Sequence, residues 1–192
     1  MNNTRHITID DILMENERVI QLRGEINDAL ANHVVKQLLY LNSQSRVKPI
    51  TLLISSPGGS ILSGNQILNW INKIDAPVYG VVDGYAASMA AVIFSQCEKG
   101  HRYVMDFSEI MLHQASACTE GNIQDMRVSV AHTERLNRSL LELLAKATNK
   151  SYDEIEVATI RDKWLTSEEA IEFGIADAYY VPPKYIDNSN IL

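Results

Sequence analysis

The chain has 192 residues, 46% hydrophobic and 21% charged, which are globular proportions at a length that suits one domain of 1–192. Lys plus Arg number 17 against 24 for Asp plus Glu, giving a net charge of −7 and a pI near 5.2. This balance argues against general nucleic-acid binding, which needs a cationic surface, and against adhesion to anionic lipid. A mean hydropathy of −0.10, without any run of roughly 18 apolar residues, predicts no membrane span. Met1 to Asp11 is polar, so no secretory signal is expected. Cys97 and Cys118 make neither a disulfide framework nor a CxxC motif, and a reducing cytoplasm is the expected setting.

In chain order, strands and helices alternate. Arg18 to Leu22 reads as a strand ending at Gly24. Asn27 is placed to cap a helix whose apolar face is Leu30, Val34, Leu38 and Leu41, spaced three and four apart. After Pro49, the run ITLLIS is short and apolar enough for a buried parallel strand. Ser56-Pro57-Gly58-Gly59-Ser60 is a sharp turn, and Ile61, Leu62, Ile67, Leu68 and Ile71 suit the next helix. Pro77 opens a second buried strand, VYGVV, which Gly84 is expected to break. The small residues Ala86 to Ala91 start a further helix, and HRYVM and EIMLH are two short strands. The longest helix is predicted over about Asn122 to Lys146, with Glu134, Arg138, Glu142 and Lys146 forming a solvated, salt-bridged row. A last helix, about Ser167 to Phe173, stops at Gly174 before the strand ADAYYV. Repeated strand–helix units predict an α/β fold: a mainly parallel sheet covered by helices, with reactive groups in turns at strand carboxyl ends.

Two such turns carry candidate chemistry. The paired glycines of Ser56 to Ser60 let the backbone come close to a ligand and aim N–H groups at an anion or a carbonyl, though the same sequence also serves as a plain tight turn. It is not a phosphate loop, because neither GxxxxGK[ST] nor GxGxxG is present. In Gly84-Tyr85-Ala86-Ala87-Ser88-Met89-Ala90, Ser88 falls just inside a helix that follows a buried strand. There its hydroxyl sits on a rigid element, beside unpaired N–H groups that suit a developing oxyanion. Small residues at that point also serve simple helix–sheet packing. Of His6, His33, His101, His113 and His132, only His113 ends an apolar strand, where it is either a base facing a site or a hydrogen-bonded core histidine. Asp162 precedes Trp164-Leu165, but among 24 acidic residues periodicity selects none, and taken alone this segment is more often a surface ion pair. No HExxH or other metal-ligand spacing and no cofactor motif is present, so neither a metal nor a cofactor is expected.

Taken together, Glu25 to Asp28, Ile54 to Ser60, Gly84 to Ala90, Ser108 to Gln114, Arg161 to Ala170 and Glu172 to Asp177 resemble, in order and with similar gaps, the ClpP family of serine peptidases, the proteolytic component of Clp proteases. The resemblance runs from Glu17 to Val181 and implies a ClpP/crotonase-like fold with a protruding strand–helix handle at about 114–144. It also implies residue roles: Ser88 as nucleophile, His113 as general base and Asp162 as the carboxylate that orients the histidine. Gly58 and Met89 match the backbone N–H donors of the oxyanion hole. The implied activity is hydrolysis of unfolded polypeptides and short peptides inside two stacked seven-subunit rings, fed by a Clp-family ATPase.

The sequence departs from the family wording at four places. His113-Gln114-Ala115-Ser116-Ala117-Cys118 stands where HQP and a glycine pair are usual. Ile160 stands where an acid is frequent, and Thr51 and Leu53 replace aromatic residues of the ATPase-docking pocket. Segment 1–16 lacks the usual axial-loop wording. A second ClpP paralogue or a different ATPase partner is the expected consequence. Two other readings are a non-catalytic structural subunit of a mixed ring and an acyl-CoA enzyme of the crotonase class.

Overall fold

The computed structural model describes residues 8–182. Strands β1 (Val19–Arg23), β2 (Ile50–Ser56), β3 (Val78–Ala87) and β4 (Arg102–Val104) lie side by side and parallel, and β7 (Ala178–Tyr179) extends the sheet at the β4 edge. Two more strands branch from the far end of β3. There β5 (Glu109–Leu112) pairs parallel with it, and β6 (Lys163–Thr166) pairs antiparallel with β5. The result is a mixed α/β fold whose sheet is mostly parallel.

Helix α2 (Asp28–Gln44) starts on Asn27, whose Oδ1 accepts the Leu30 N–H at 3.0 Å. It buries Ala31, Val34, Leu38 and Leu41; Leu30 is only half-buried, and Ala31 takes its place on the core face. Helix α3 (Ile61–Ile71) packs against α2, and α4 (Met89–Ser95) is buried along its whole length. The β2 strand differs from expectation. Ile50, Leu52, Ile54 and Ser56 are buried, whereas Thr51, Leu53 and Ser55 are only half-buried, so the helices cover one face of this strand and leave the other partly open.

Gly84 does not break β3. The strand runs on to Ala87 because it changes neighbours along its length: Gly80–Val82 pair with β4, and Tyr85–Ala87 pair with β5. The β2–β3 register shifts between Ile54 and Ser56, and a side chain at Gly84 would sit 2.7 Å from Ser55 Oγ. The glycine therefore permits a bend with close strand contact instead of ending the strand.

Three elements lie outside the sequence reading: α1 (Ile9–Glu17), α6 (Tyr152–Ala158) and β6. Both helices are opened by capping boxes, Thr8 with Asp11 and Ser151 with Glu154. They are too short for apolar periodicity to register. Helix α7 (Ser167–Phe173) ends at Gly174 as expected.

The long helix α5 (Ile123–Thr148) begins on Asn122. Its buried residues, from Leu140 to Thr148, all lie in its final turns, and the preceding stretch projects into solvent with Val130 48% exposed. No ion pair within 4.0 Å links Glu134, Arg138, Glu142 and Lys146 among the described residues; Arg138 instead lies over the Tyr152 ring. Residues 114–122, where the handle was expected to begin with a strand, form no ladder, since no strand of the same chain lies alongside them.

Candidate active site

Ser88 lies where β3 hands over to α4, as the residue that caps the helix and not just inside it. Its φ of 56° and ψ of −124° are costly for a residue with a side chain. The surroundings enforce that geometry: its N–H donates to Met111 O at 2.9 Å, and its carbonyl accepts from the Ala91 and Val92 amides. A capping serine normally turns its hydroxyl back onto the helix, but Ser88 makes no such bond. Its Oγ lies 2.7 Å from His113 Nε2.

Strand pairing accounts for that contact. Ala87 is opposite Met111 in the β3–β5 ladder, so Ser88 and His113 emerge together at its end. The β5–β6 ladder adds the third group. Leu112 pairs with Lys163, and one antiparallel step further sets Asp162 beside His113. His113 Nδ1 and Asp162 Oδ1 are 3.8 Å apart, within ion-pair range but too long for a hydrogen bond. The His113 side chain is 27% exposed and that of Asp162 64%, so this carboxylate is largely solvated. The other described histidines lie elsewhere: His33 and His132 are exposed on helices, and His101 stacks on Tyr79 with Nδ1 3.0 Å from the Tyr103 hydroxyl. His6 falls outside the described residues.

The glycine turn wraps the same point. Gly58 and Gly59 have φ of 86° and 145°, values that residues with side chains rarely adopt. A Cβ on Gly58 would lie 2.8 Å from Ser88 Cβ and 2.9 Å from Met89 N, so the turn presses directly on the nucleophile candidate. The N–H of Gly58, the expected donor, donates to Ser56 Oγ at 3.1 Å with no substrate present. Gly59 is the residue that lines the cleft. On either side of it, Ile26 N–H donates to Gly58 O and Ser60 N–H donates to Ile26 O, which directs the Gly59 N–H away from Ile26. The sequence signal for Gly59 as a cleft-lining residue was the glycine pair itself. Met89 follows Ser88 as the first helical residue, and its side chain packs over Gly64, where any Cβ would collide with it.

A cleft of about 210 Å³ opens at Ser88 and His113, with Gly59 and Met89 on one side and Val92, Leu140, Leu141 and Leu144 supplying apolar surface. The arrangement can deprotonate a hydroxyl, hold an oxyanion on backbone N–H groups and receive an apolar side chain.

The family described as Clp protease matches residues 2–181. The ATP-dependent Clp protease proteolytic subunit of Streptococcus pneumoniae (strain 70585) is 36% identical over 163 residues, which cover 84% of this chain and 83% of that protein. With a match of this extent in order along nearly all its length, the chain belongs to the Clp protease family.

Proposed function

We propose that the chain is a serine endopeptidase subunit that hydrolyses peptide bonds of unfolded segments and short peptides, with Ser88 as nucleophile, His113 as general base and Asp162 as the orienting carboxylate. The observation that carries this reading is the 2.7 Å approach of Ser88 Oγ to His113 Nε2 at a strained helix start. With the His113 Nδ1 proton facing Asp162, the Ser88 hydroxyl donates to Nε2. Attack on a peptide carbonyl passes the hydroxyl proton to His113, and the same proton then goes to the leaving amine. Water, deprotonated by His113, releases the acyl group from Ser88. The tetrahedral oxyanion fits between the N–H of Met89 and that of Gly58 in the glycine turn, with Gly59 lining the cleft beside them. Each such donor lowers the barrier by about 3–4 kcal/mol.

Asp162 needs a movement of roughly 1 Å to hydrogen-bond the imidazole, a looseness common before substrate is bound. That gap also favours a second reading, a structural subunit in which the triad stays open. Labelling with a fluorophosphonate separates the two. The enzyme reading requires a covalent adduct on Ser88 that is lost in Ser88→Ala and slowed in His113→Ala; an assembled protein that takes up no label supports the structural reading.

The wider assembly belongs to the same proposal. Segment 114–144 serves as the handle between two stacked heptameric rings of a single-domain subunit, in a cytoplasmic chamber that excludes folded proteins by size. A Clp-family ATPase feeds that chamber, and a second ClpP paralogue completes the ring if the chain does not assemble alone. Supporting this are the solvent-facing first part of α5 and the name of the streptococcal relative, an ATP-dependent subunit. Among the described residues no helix is long and apolar enough to cross a membrane. Mass by light scattering, read with peptidase activity on the same sample, tests the assembly. A ring-sized particle must carry the activity; activity in a monomer would exclude the chamber.

A further inference from the structure

We infer that Asn137 is a positioning residue for His113, holding the strand that carries the base through one hydrogen bond to the backbone. The inference rests on the reading of Ser88 and His113 given above. Beyond Leu112 the chain leaves the β5–β6 ladder, so the segment after His113 has no strand partner within the chain. Side-chain and backbone bonds from two helices hold it instead. Gln114 N–H donates to Thr159 O at 3.2 Å, and Gln114 Nε2 donates to Glu156 O at 3.3 Å. Ala115 N–H donates to Asn137 Oδ1 at 2.8 Å. Consecutive amides of an extended segment point to opposite sides, so the segment is gripped between α6 and α5.

The two grips do different work. The bonds of Gln114 fix the segment to the end of α6, three residues ahead of Asp162, and thereby relate His113 to its carboxylate. The Asn137 bond fixes it to α5. On that helix Asn137 lies one turn before Leu140 and Leu141, on the face where Leu140, Leu141 and Leu144 join Ala115 and Ser116 in walling the Ser88–His113 cleft. On its other side the same segment borders a second cavity of about 400 Å³, lined by Gln114, Ala115, Ser116 and Asn137 itself. With open space on that side, packing alone does not fix where the strand sits. A directional bond from Asn137 supplies the missing constraint, two residues from an imidazole whose productive position tolerates only small displacement.

The test uses the assembled protein, steady-state hydrolysis of a fluorogenic peptide, and the rate of Ser88 phosphonylation. Asn137→Ala is expected to lower kcat about tenfold, with KM little changed, and to slow phosphonylation in parallel. Asn137→Asp keeps the acceptor oxygen and restores most of both rates. Ala115→Pro, which puts the usual family residue at this point, removes the donor N–H and fixes the backbone by its ring, so hydrolysis no longer depends on Asn137 and adding Asn137→Ala to it causes no further loss. Full activity in Asn137→Ala, a rise in KM alone, or losses that multiply in the double variant would each overturn the inference. If Asn137→Ala fails to assemble, the comparison of Asn137→Asp with Asn137→Leu decides: the inference needs the first active and the second impaired in kcat. A wild-type protein that is never labelled at Ser88, with Ser88→Ala equally active on the peptide, marks instead the failure of the catalytic reading beneath it.

Discussion

Ser88 differs from a surface serine through its backbone. The positive φ turns the side chain away from the helix it caps, and the Met111 carbonyl and the first amides of α4 hold it there. The hydroxyl is left for His113. Ser88→Ala is therefore expected to reduce peptide hydrolysis by up to about a millionfold, measured as kcat on a fluorogenic peptide, as when one member of a tightly coupled triad is lost. Asp162→Ala should cost less than the roughly 10⁴-fold seen for buried triad carboxylates, because this one is 64% exposed and 3.8 Å from the ring. Gly58→Ala acts through space. Its Cβ would meet Ala87 O at 2.6 Å and Ser88 Cβ at 2.8 Å, in a backbone conformation already unfavourable to alanine. Loss of both phosphonate labelling and hydrolysis, with the fold retained by circular dichroism, is the expected outcome.

At the scale of elements, the site is made by two ladders. Parallel pairing of β3 with β5 brings Ser88 to His113, and antiparallel pairing of β5 with β6 brings Asp162 alongside. Another polar link ties β4, β7 and the end of α5. Arg102, almost fully buried, donates to both carboxylate oxygens of Asp177 and to Ala147 O. Burial pushes the Asp177 carboxyl upward, but its hydrogen bonds from the Arg102 side chain and backbone, with the nearby positive charge, outweigh that and hold it below the ordinary value of 3.8. A carboxylate lowered in the folded state stabilises fully above its unfolded value, and that contribution disappears as pH falls through the folded one. Asp177→Asn leaves a buried guanidinium unpaired and should destabilise the protein by about 3–5 kcal/mol near neutrality. Melting temperatures followed from pH 7 into acid should fall more steeply for the wild type than for the variant. Parallel curves would refute the linkage.

Across the whole molecule, burial sorts otherwise similar groups. Cys97 is buried beneath the sheet, where desolvation raises its thiol pKa to about 12, while Cys118 is exposed beside α5. Alkylation of the folded, unassembled subunit should therefore modify Cys118 and spare Cys97 until denaturant unfolds the chain, as counted by intact mass. The first part of α5 shows the opposite case. Ile123 and Val128 are 64% and 70% exposed on a helix that continues well past its own core contacts. Under the proposed assembly, Val128→Glu should lower the particle mass and the peptidase activity together. Unchanged mass would remove this face from the ring contact.

Residues close together in the chain determined much of this protein. Three- and four-residue spacing marked α2, Asn27 marked its cap, Gly174 the stop of α7, and the ordered blocks from Glu25 to Asp177 the Clp protease family. These signals are local, so a linear reading detects them. Short elements escaped, since seven residues such as α6 carry too few apolar positions to show a period. Gly84 misled because its effect depends on Ser55, a neighbour supplied by another strand. The decisive distances came only with the tertiary structure. Ser88, His113 and Asp162 each had an ordinary local alternative, and that Gly59 lines the cleft, or that Asn137 grips Ala115, depends on strand register and helix packing. Register is fixed by which faces the core buries, a property of the folded molecule and of no single segment.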